Sequence, residues 1–384
     1  MLRYLTAGES HGKAMVALVE GFPAGVQVRT EPIDAELRRR QGGYGRGGRQ
    51  QIETDRVEIL TGLWRGQTIG SPITLIIYNK DVRIDQLDDL DSPRPGHGDL
   101  SGAMKYLCPI RGILERASAR ETVARVAVGA LAKQLLELFR VKTLGYVVQV
   151  GPIRYPEAQG SLEELRQRRD ASLVYSLHPD QDGPVQELID QCRREGDSLG
   201  GVIEVRVEGV PFGLGSHAQW DRKLDGQLAQ AVMSIQAIKG VEIGLGFEAA
   251  GRRGSQVHDP IHYDPSLADT PCLGFVRPTN NAGGLEAGMS NAQPIVLRAA
   301  MKPISTLARP LASVNLRSRR PELASYERSD VCAIAAASVI VENVVAFEVA
   351  RALVDKFGGD SLAEMQARWQ LFHQMAAQLG RQTP

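Results

Sequence analysis

Cysteine is scarce in this 384-residue chain: four residues, Cys108, Cys192, Cys272 and Cys332, with no CxxC pair among them. That spacing argues against a zinc ribbon or a disulfide framework and reads as reduced thiols of a cytoplasmic protein. Aromatic residues make up only 5% of the sequence. Net charge is also missing, because 45 basic side chains balance 45 acidic ones. Wholesale nucleic-acid binding normally leaves a basic surplus, so none is expected. No run of 18 apolar residues occurs, so no membrane helix is predicted. The opening MLRYLTAGESHGK lacks the apolar stretch of a signal peptide. P-loop spacing, GxxxxGK[ST], is absent as well.

What is present is a substantial core, with 43% hydrophobic residues, and many turns, with 40 glycines and 20 prolines. Two apolar runs flank Gly21-Phe22-Pro23-Ala24-Gly25 and read as strands around a turn. Pro32 opens a short helix, residues 33–40, which Gly42 and Gly43 stop. Strand-like segments follow at 50–60 and 71–80. From Ser118 to Arg140, apolar residues at 3–4 residue spacing predict an amphipathic helix with one buried stripe, started by a Ser118/Glu121 capping box. Residues 151–198 are charged and read as a peripheral excursion. The segment Val207–Pro211 echoes Val19–Pro23, and each is followed by a helix, Asp221–Ile238 and Asp34–Arg40. Two related βα halves around one core follow from this echo. Two helices, 332–357 and 361–379, close the chain around Gly358-Gly359.

The stretch RRRQGGYGRGGR, residues 38–49, holds five arginines and five glycines. Gly43 to Gly48 formally match G-x-G-x-x-G, but a helix precedes and a strand follows, the reverse of a dinucleotide site. An RNA-draping tail would be terminal and repetitive. This stretch is single, internal and flanked by periodic segments, which favours an ordered anion-binding loop over a solvated turn. His11 and His97 sit in stiff glycine-flanked loops, as structural histidines or as an acid–base pair if the fold unites them. Arg116 and Arg120 flank a helix start, a poor place for cations without a compensating anion. His258 and His262 straddle Pro260, which opposes a shared metal. Lys302–Thr306 and Arg328-Ser329-Asp330 are polar islands, Asp330 reading also as a helix cap. Asn280–Gly284 reads as a tight turn. The sum is an enzyme for a ligand with several negative charges.

At this point nine segments resemble chorismate synthase in order and spacing: GESHG (8–12), RRRQGGYGRGGR (38–49), PRPGH (93–97), ERASARET (115–122), SIQAIKGVEIG (234–244), NNAGG (280–284), GMSN (288–291), KPISTL (302–307) and RSD (328–330). The resemblance implies an α+β fold, a β-α-β sandwich in a single domain over 1–384, with 151–198 peripheral. It implies conversion of 5-enolpyruvylshikimate 3-phosphate to chorismate with reduced FMN and no net redox change. His11 then protonates the departing phosphate, His97 manages a proton on the flavin's pyrimidine side, and Asp330 acts in removing the C6 proton. Ser10, Arg40, Arg46, Arg49, Arg120 and Arg328 match substrate positions. Arg116, Ala117, Ser118, Gln236, Ala237, Ala287, Lys302, Pro303, Ile304, Ser305, Thr306 and Arg328 match flavin positions. Arg40 and Arg46 also match positions for NADP, with NADPH as an indirect reductant and an external flavin reductase. A cytoplasmic homotetramer, with neither nucleic acid nor membrane as partner, completes what the resemblance implies. A flavin-dependent oxidoreductase and an RNA-binding protein are the alternatives.

Overall fold

The computed structural model describes residues 1–47, 54–327 and 329–379. The first half begins with β1 (Arg3–Ala7) and β2 (Ala14–Glu20), an antiparallel pair, followed by α1 (Thr30–Gln41). The strand β3 (Ile73–Tyr78) pairs antiparallel with β2 and, on its other side, with the short strand Glu58–Ile59. Then come α2 (Asp99–Tyr106), α3 (Ile110–Ala117) and α4 (Thr122–Glu137). The second half runs β4 (Lys142–Val150), α5 (Leu162–Ala171), α6 (Asp182–Glu195), β5 (Gly201–Glu208), α7 (Leu224–Met233), β6 (Ile238–Ile243), β7 (Ile295–Met301) and α8 (Ile334–Phe357). A last helix, α9 (Leu362–Ala377), follows.

Both sheets repeat one plan. Within each half four strands take the spatial order first, second, fourth, third, all antiparallel, with one helix between the second and third of them and a long helix after the fourth; the second sheet adds a short edge strand, Ile153–Arg154, beside β4. The echo between Val19–Pro23 and Val207–Pro211 therefore marks equivalent ends of β2 and β5. Period-two alternation sends Met15, Ala17 and Val19 of β2, and Ile203, Val205 and Val207 of β5, to the inside. Between the sheets lie α4, packed on β2 and β3, and α8, packed on β4 and β5, with the two helices in contact. They cross closely at Gly129, where a Cβ would stand 2.2 Å from the Asn343 carbonyl oxygen. This is a β-α-β sandwich of α+β class.

Three expectations change. The helix α4 is buried around nearly its whole circumference, because a sheet covers one side and α8 the other. Its predicted capping box does not form: Ser118 caps a 3₁₀ turn, Ala119–Glu121, by accepting from the Arg120 N–H. Glu121 turns away to Thr6 and Arg125, and the α-helix starts at Thr122. The helix after β5 is shorter than 221–238, since Trp220–Arg222 is 3₁₀ and Ile238 already pairs as a strand.

The stretch 151–198 contains α5 and α6. Ser161 and Glu164 form a reciprocal cap on α5, whose Leu162 and Leu165 pack with Leu144, Tyr146 and Leu177 on the outer side of β4. No helix among the described residues is long and apolar enough to cross a membrane.

Candidate active site

The starts of α4 and α8, equivalent helices of the two halves, open into one cavity of about 550 Å³ together with the end of α1. Both helix starts direct their dipoles' positive ends toward it. Arg40, Arg46, Arg83, Arg94, Arg120 and Lys302 line it, against the acids Asp81, Glu327 and Asp330. Ala333, Ala336, Ala337 and Ile340 of the α8 start form an apolar wall. Charge and shape together suit a flat, multiply anionic load.

His11 sits in the β1–β2 loop, 7% exposed. Its Nδ1 lies 2.9 Å from Glu115 Oε1, its backbone N–H donates to Glu115 Oε2 at 2.7 Å, and its Nε2 is 3.8 Å from Asp81. Burial pushes the Glu115 carboxyl up, but hydrogen bonds and charge from His11, with Arg111 beyond, leave it below its ordinary value. Asn79 holds the same loop by donating to the Glu9 and Gly12 carbonyls. Sequence reasoning passed over Glu115, although it sits inside ERASARET one turn before the predicted helix.

His97 is built the same way from a Pro/Gly loop. Its Nδ1 is 2.5 Å from Asp99 Oδ1, and Arg94 Nε donates to Asp99 Oδ2 at 2.8 Å. Burial would raise Asp99, yet the bonds from His97 and Arg94 hold it well below the usual carboxylate range. Arg94 also donates to Thr306 Oγ1 at 2.8 Å, tying this loop to the second half. Both histidines thus have a carboxylate behind Nδ1, while Nε2 of His11 faces Asp81 and Nε2 of His97 lies 3.4 Å from Arg94, both residues of the cavity lining.

Arg40 ends α1 and is 4% exposed. It donates to Thr122 Oγ1 at 3.0 Å and the Ala119 carbonyl at 2.9 Å. Burial pushes its guanidinium down to about 9; Asp55 pulls it up, while Arg120 and Arg46 add to the fall. It stays charged at neutral pH, and an anion placed among the three arginines would relieve their repulsion. Arg120 is held by Asn79 at 2.8 Å and by Asp55 at 2.8 Å. From the glycine loop, Arg46 pairs with Asp330 at 2.8 Å and the Gly47 N–H donates to the same carboxylate at 2.6 Å. Asp330 is not a helix cap: α8 begins after Ala333, which has no side-chain cap.

The remaining positions divide. Ser10, Ala117, Ser118, Gln236, Ala237, Lys302, Ile304, Ser305 and Thr306 line the cavity. Ser118 donates to Ser10 Oγ at 3.2 Å, and Lys302 Nζ donates to the Gly96 carbonyl. Arg116 does not line it; its guanidinium grips the Thr6 and Gly8 carbonyls instead. Pro303 stands just outside the lining, and Ala287 sits on the exposed turn between two short strands, Leu285–Glu286 and Met289–Asn291. Arg49 and Arg328 lie outside the described residues. Arg83, Arg94, Asp81 and Asn79 join the site without having been singled out in the sequence. Among the described residues no cluster of metal-ligating side chains exists, His258 and His262 included.

Two carboxylate-backed imidazoles in a cationic cavity define a class of protein, an enzyme that moves protons on a small polyanion. Comparison with known proteins makes this particular. The chorismate synthase family model matches residues 2–354. Over 384 aligned residues the chain is 53% identical to the chorismate synthase of Geobacter metallireducens, covering 96% of this chain and 98% of that one. It is 54% identical to that of Desulforamulus reducens, covering 99% and 100% of the two chains. A crystal structure of a chorismate synthase superposes with a TM-score of 0.80 at 42% identity, covering 98% of this chain and 99% of that one. The chain belongs to the chorismate synthase family. The described part of the glycine loop is folded against Leu173 and Asp330, unlike the free tail that the RNA-draping reading requires.

Proposed function

We propose that this cavity eliminates phosphate and the C6 proton from 5-enolpyruvylshikimate 3-phosphate in the anti-1,4 sense, giving chorismate, the last step of the shikimate pathway. The enzyme is then a carbon–oxygen lyase acting on phosphate. The observation that carries the reading is the meeting of six cationic side chains and two carboxylate-backed imidazoles in one cavity. A substrate with one phosphate and two carboxylates needs such a lining, already assembled before it binds.

In this reading Arg40, Arg46 and Arg120, with Ser10 and with Arg49 and Arg328 of the same motifs, hold the substrate's anionic groups. His11, its Nδ1 engaged by Glu115, delivers a proton from Nε2 to the departing phosphate. Asp330, fixed by Arg46 and the Gly47 N–H, takes part in removing the C6 proton. His97, its Nδ1 engaged by Asp99, keeps Nε2 for a proton on the pyrimidine side of the cofactor.

The residues present fit reduced FMN. Gln236 Oε1 is buried with no hydrogen-bond partner among the described residues, an acceptor for which a flavin pyrimidine N–H is a suitable donor. Its neighbour Ala237, at φ +69°, also lines the cavity, and the alanines of the α8 start offer an apolar cover. Ala117, Ser118, Gln236, Ala237 and the run Lys302 to Thr306 would hold it, with Arg116 and Ala287 as outer members of the family's set. When bound, reduced FMN lends electron density that weakens the allylic C–O bond and recovers it, so no net redox change results.

We further propose a cytoplasmic homotetramer supplied with reduced flavin by an external reductase, NADPH serving as indirect reductant and reaching Arg40 and Arg46. Support for assembly is the outer face of the first sheet, where Leu5 and Leu18 are exposed as register partners and Tyr78 is exposed on the same face, opposite Ala14. The test of function is anaerobic mixing of the protein with photoreduced FMN and 5-enolpyruvylshikimate 3-phosphate, following phosphate and chorismate. Many turnovers on trace reductant support the elimination. One reductant consumed per product would instead make the protein a flavin-dependent oxidoreductase.

A further inference from the structure

The peripheral stretch 151–198 has no part in the chemistry just described, yet it touches the end of α1 and the glycine loop that follows. Tyr44 Oη donates to the Asp190 carboxylate of α6 at 2.9 Å, and the Tyr44 N–H donates to the Leu173 carbonyl at 2.8 Å. Tyr175 Oη donates to the Arg39 carbonyl at 3.1 Å. Arg193, itself paired with Asp190 at 2.5 Å, lies over the Tyr44 ring at 5.8 Å. The turn presenting Leu173 and Tyr175 is rigid in its own right. Asp182, 4% exposed, accepts from the Leu173 N–H at 2.7 Å and from Ser172 and Ser176.

On its other side the loop grips the strand-like segment that carries Asp330. The Gly45 carbonyl accepts from the Val331 and Cys332 N–H groups at 3.0 and 3.2 Å, and Arg46 and the Gly47 N–H hold the Asp330 carboxylate. There is no room for a larger residue at the joint: a Cβ on Gly45 would meet Cys332 at 3.0 Å and Ile189 of α6 at 3.1 Å. The Leu199 N–H, just past α6, donates to the Val331 carbonyl at 2.9 Å, bracing the same segment from behind. Residues 42–47 are therefore clamped between α6 and the Asp330 segment.

We infer that the Tyr44–Asp190 pair of the peripheral stretch is a positioning device for the reaction, acting through the glycine loop to hold Asp330 in register. This rests on the function proposed above for Asp330. Tyr44 and Asp190 touch no reacting group; their effect reaches the chemistry because about 1 Å of misplacement can cost up to about 100-fold in rate.

The experiment compares Tyr44→Phe and Asp190→Asn in the wild-type and Asp330→Asn backgrounds, measuring phosphate release with reduced FMN in single and multiple turnover. Either variant should lower kcat about 10-fold. The KM for 5-enolpyruvylshikimate 3-phosphate should move less than about twofold, and the two substitutions combined should cost no more than one. In the Asp330→Asn background, Tyr44→Phe should change the rate by less than about twofold, because the group it positions is gone. Equal losses in both backgrounds would mean general loosening and overturn the inference, as would an unchanged kcat. Amide hydrogen exchange on the ligand-free protein supplies an arm independent of activity. Tyr44→Phe should speed exchange at Gly47, Val331 and Cys332 while leaving α4 and α8 unaffected. Unchanged exchange at those amides overturns the inference even if the wild type makes chorismate. Wild type that makes none removes the proposed function, and the exchange result then judges the clamp alone.

Discussion

The strands β1, β2 and β3 and the helix α4 repeat, in the same order and hand of pairing, as β4, β5, β7 and α8, yet the two halves bring different chemistry to the cavity. The first half delivers His11 and His97, backed by Glu115 and Asp99, with Arg40, Arg94 and Arg120. The second half delivers Gln236, Lys302, Ser305, Thr306, Asp330 and the apolar start of α8. Duplication of the scaffold explains why two helix starts meet at one place; the segments leading into them differ, richer in arginine and imidazole in the first half and richer in apolar and neutral polar groups in the second. The outer faces differ too. On the second sheet Leu144 and Tyr146 lie under α5, and β5 shows Glu204, Arg206 and Glu208 outward, whereas Leu5 and Leu18 of the first sheet have no cover.

This division of labour can be broken at several points. The largest effect belongs to the first half: His11→Ala and His97→Ala should each lower turnover about 10- to 1000-fold, the range that loss of a general acid or base commonly costs. Steady-state phosphate release measures it, and normal rates in both variants would remove the imidazole roles. Next comes the second half. Gln236→Leu should weaken reduced FMN about fivefold, the worth of one net hydrogen bond, with the substrate KM unchanged. Flavin titration under anaerobic conditions reads this, and equal weakening of both ligands would erase the proposed split.

A smaller effect concerns pH. Asp99 sits below the usual carboxylate range because hydrogen bonds from His97 and Arg94 outweigh its burial. A carboxylate lowered in the folded state adds stability above its unfolded pKa of about 3.9, and this is lost as pH falls through the folded value. The wild-type melting temperature should therefore drop as the pH is taken below about 4. Asp99→Asn should melt lower than wild type at pH 7 and lose less on acidification; circular dichroism melts at both pH values compare the slopes. The smallest catalytic effect is expected at the outer faces. Leu18→Glu should shift the sedimentation mass downward while Glu208→Lys, on the polar face of β5, should not. A parallel shift in both would deny that the bare sheet is the assembling one.

Much of this was readable before any coordinates. Apolar periodicity found α4, because a helix buried on a core needs its apolar residues at 3–4 residue spacing whatever it packs against, and Gly358-Gly359 marked the break between α8 and α9. Periodicity did not reveal that α4 is covered all round, since that depends on a sheet and a helix arriving from distant parts of the chain. The capping box at Ser118 failed for a related reason. Glu121 has partners in Thr6, 115 residues away, and in Arg125, and these outcompete the local bond. Asp99 is legible in the sequence only as an acid two residues beyond His97; Glu115, Arg94 and Asp81 carry no such mark, because a lone carboxylate or guanidinium looks like any solvated charge until an imidazole is set beside it.

By itself the sequence determined the alternation of the strands, the helical stripes, the glycine turns and the motifs that mark the family, all of which rest on interactions between near neighbours. Only the tertiary structure decided that His11, His97, Arg40 and Asp330, spread over 320 residues, share one cavity. It also decided which carboxylate stands behind each imidazole. Those pairings are through-space and depend on two sheets and two long helices being packed together, and no local spacing rule encodes them.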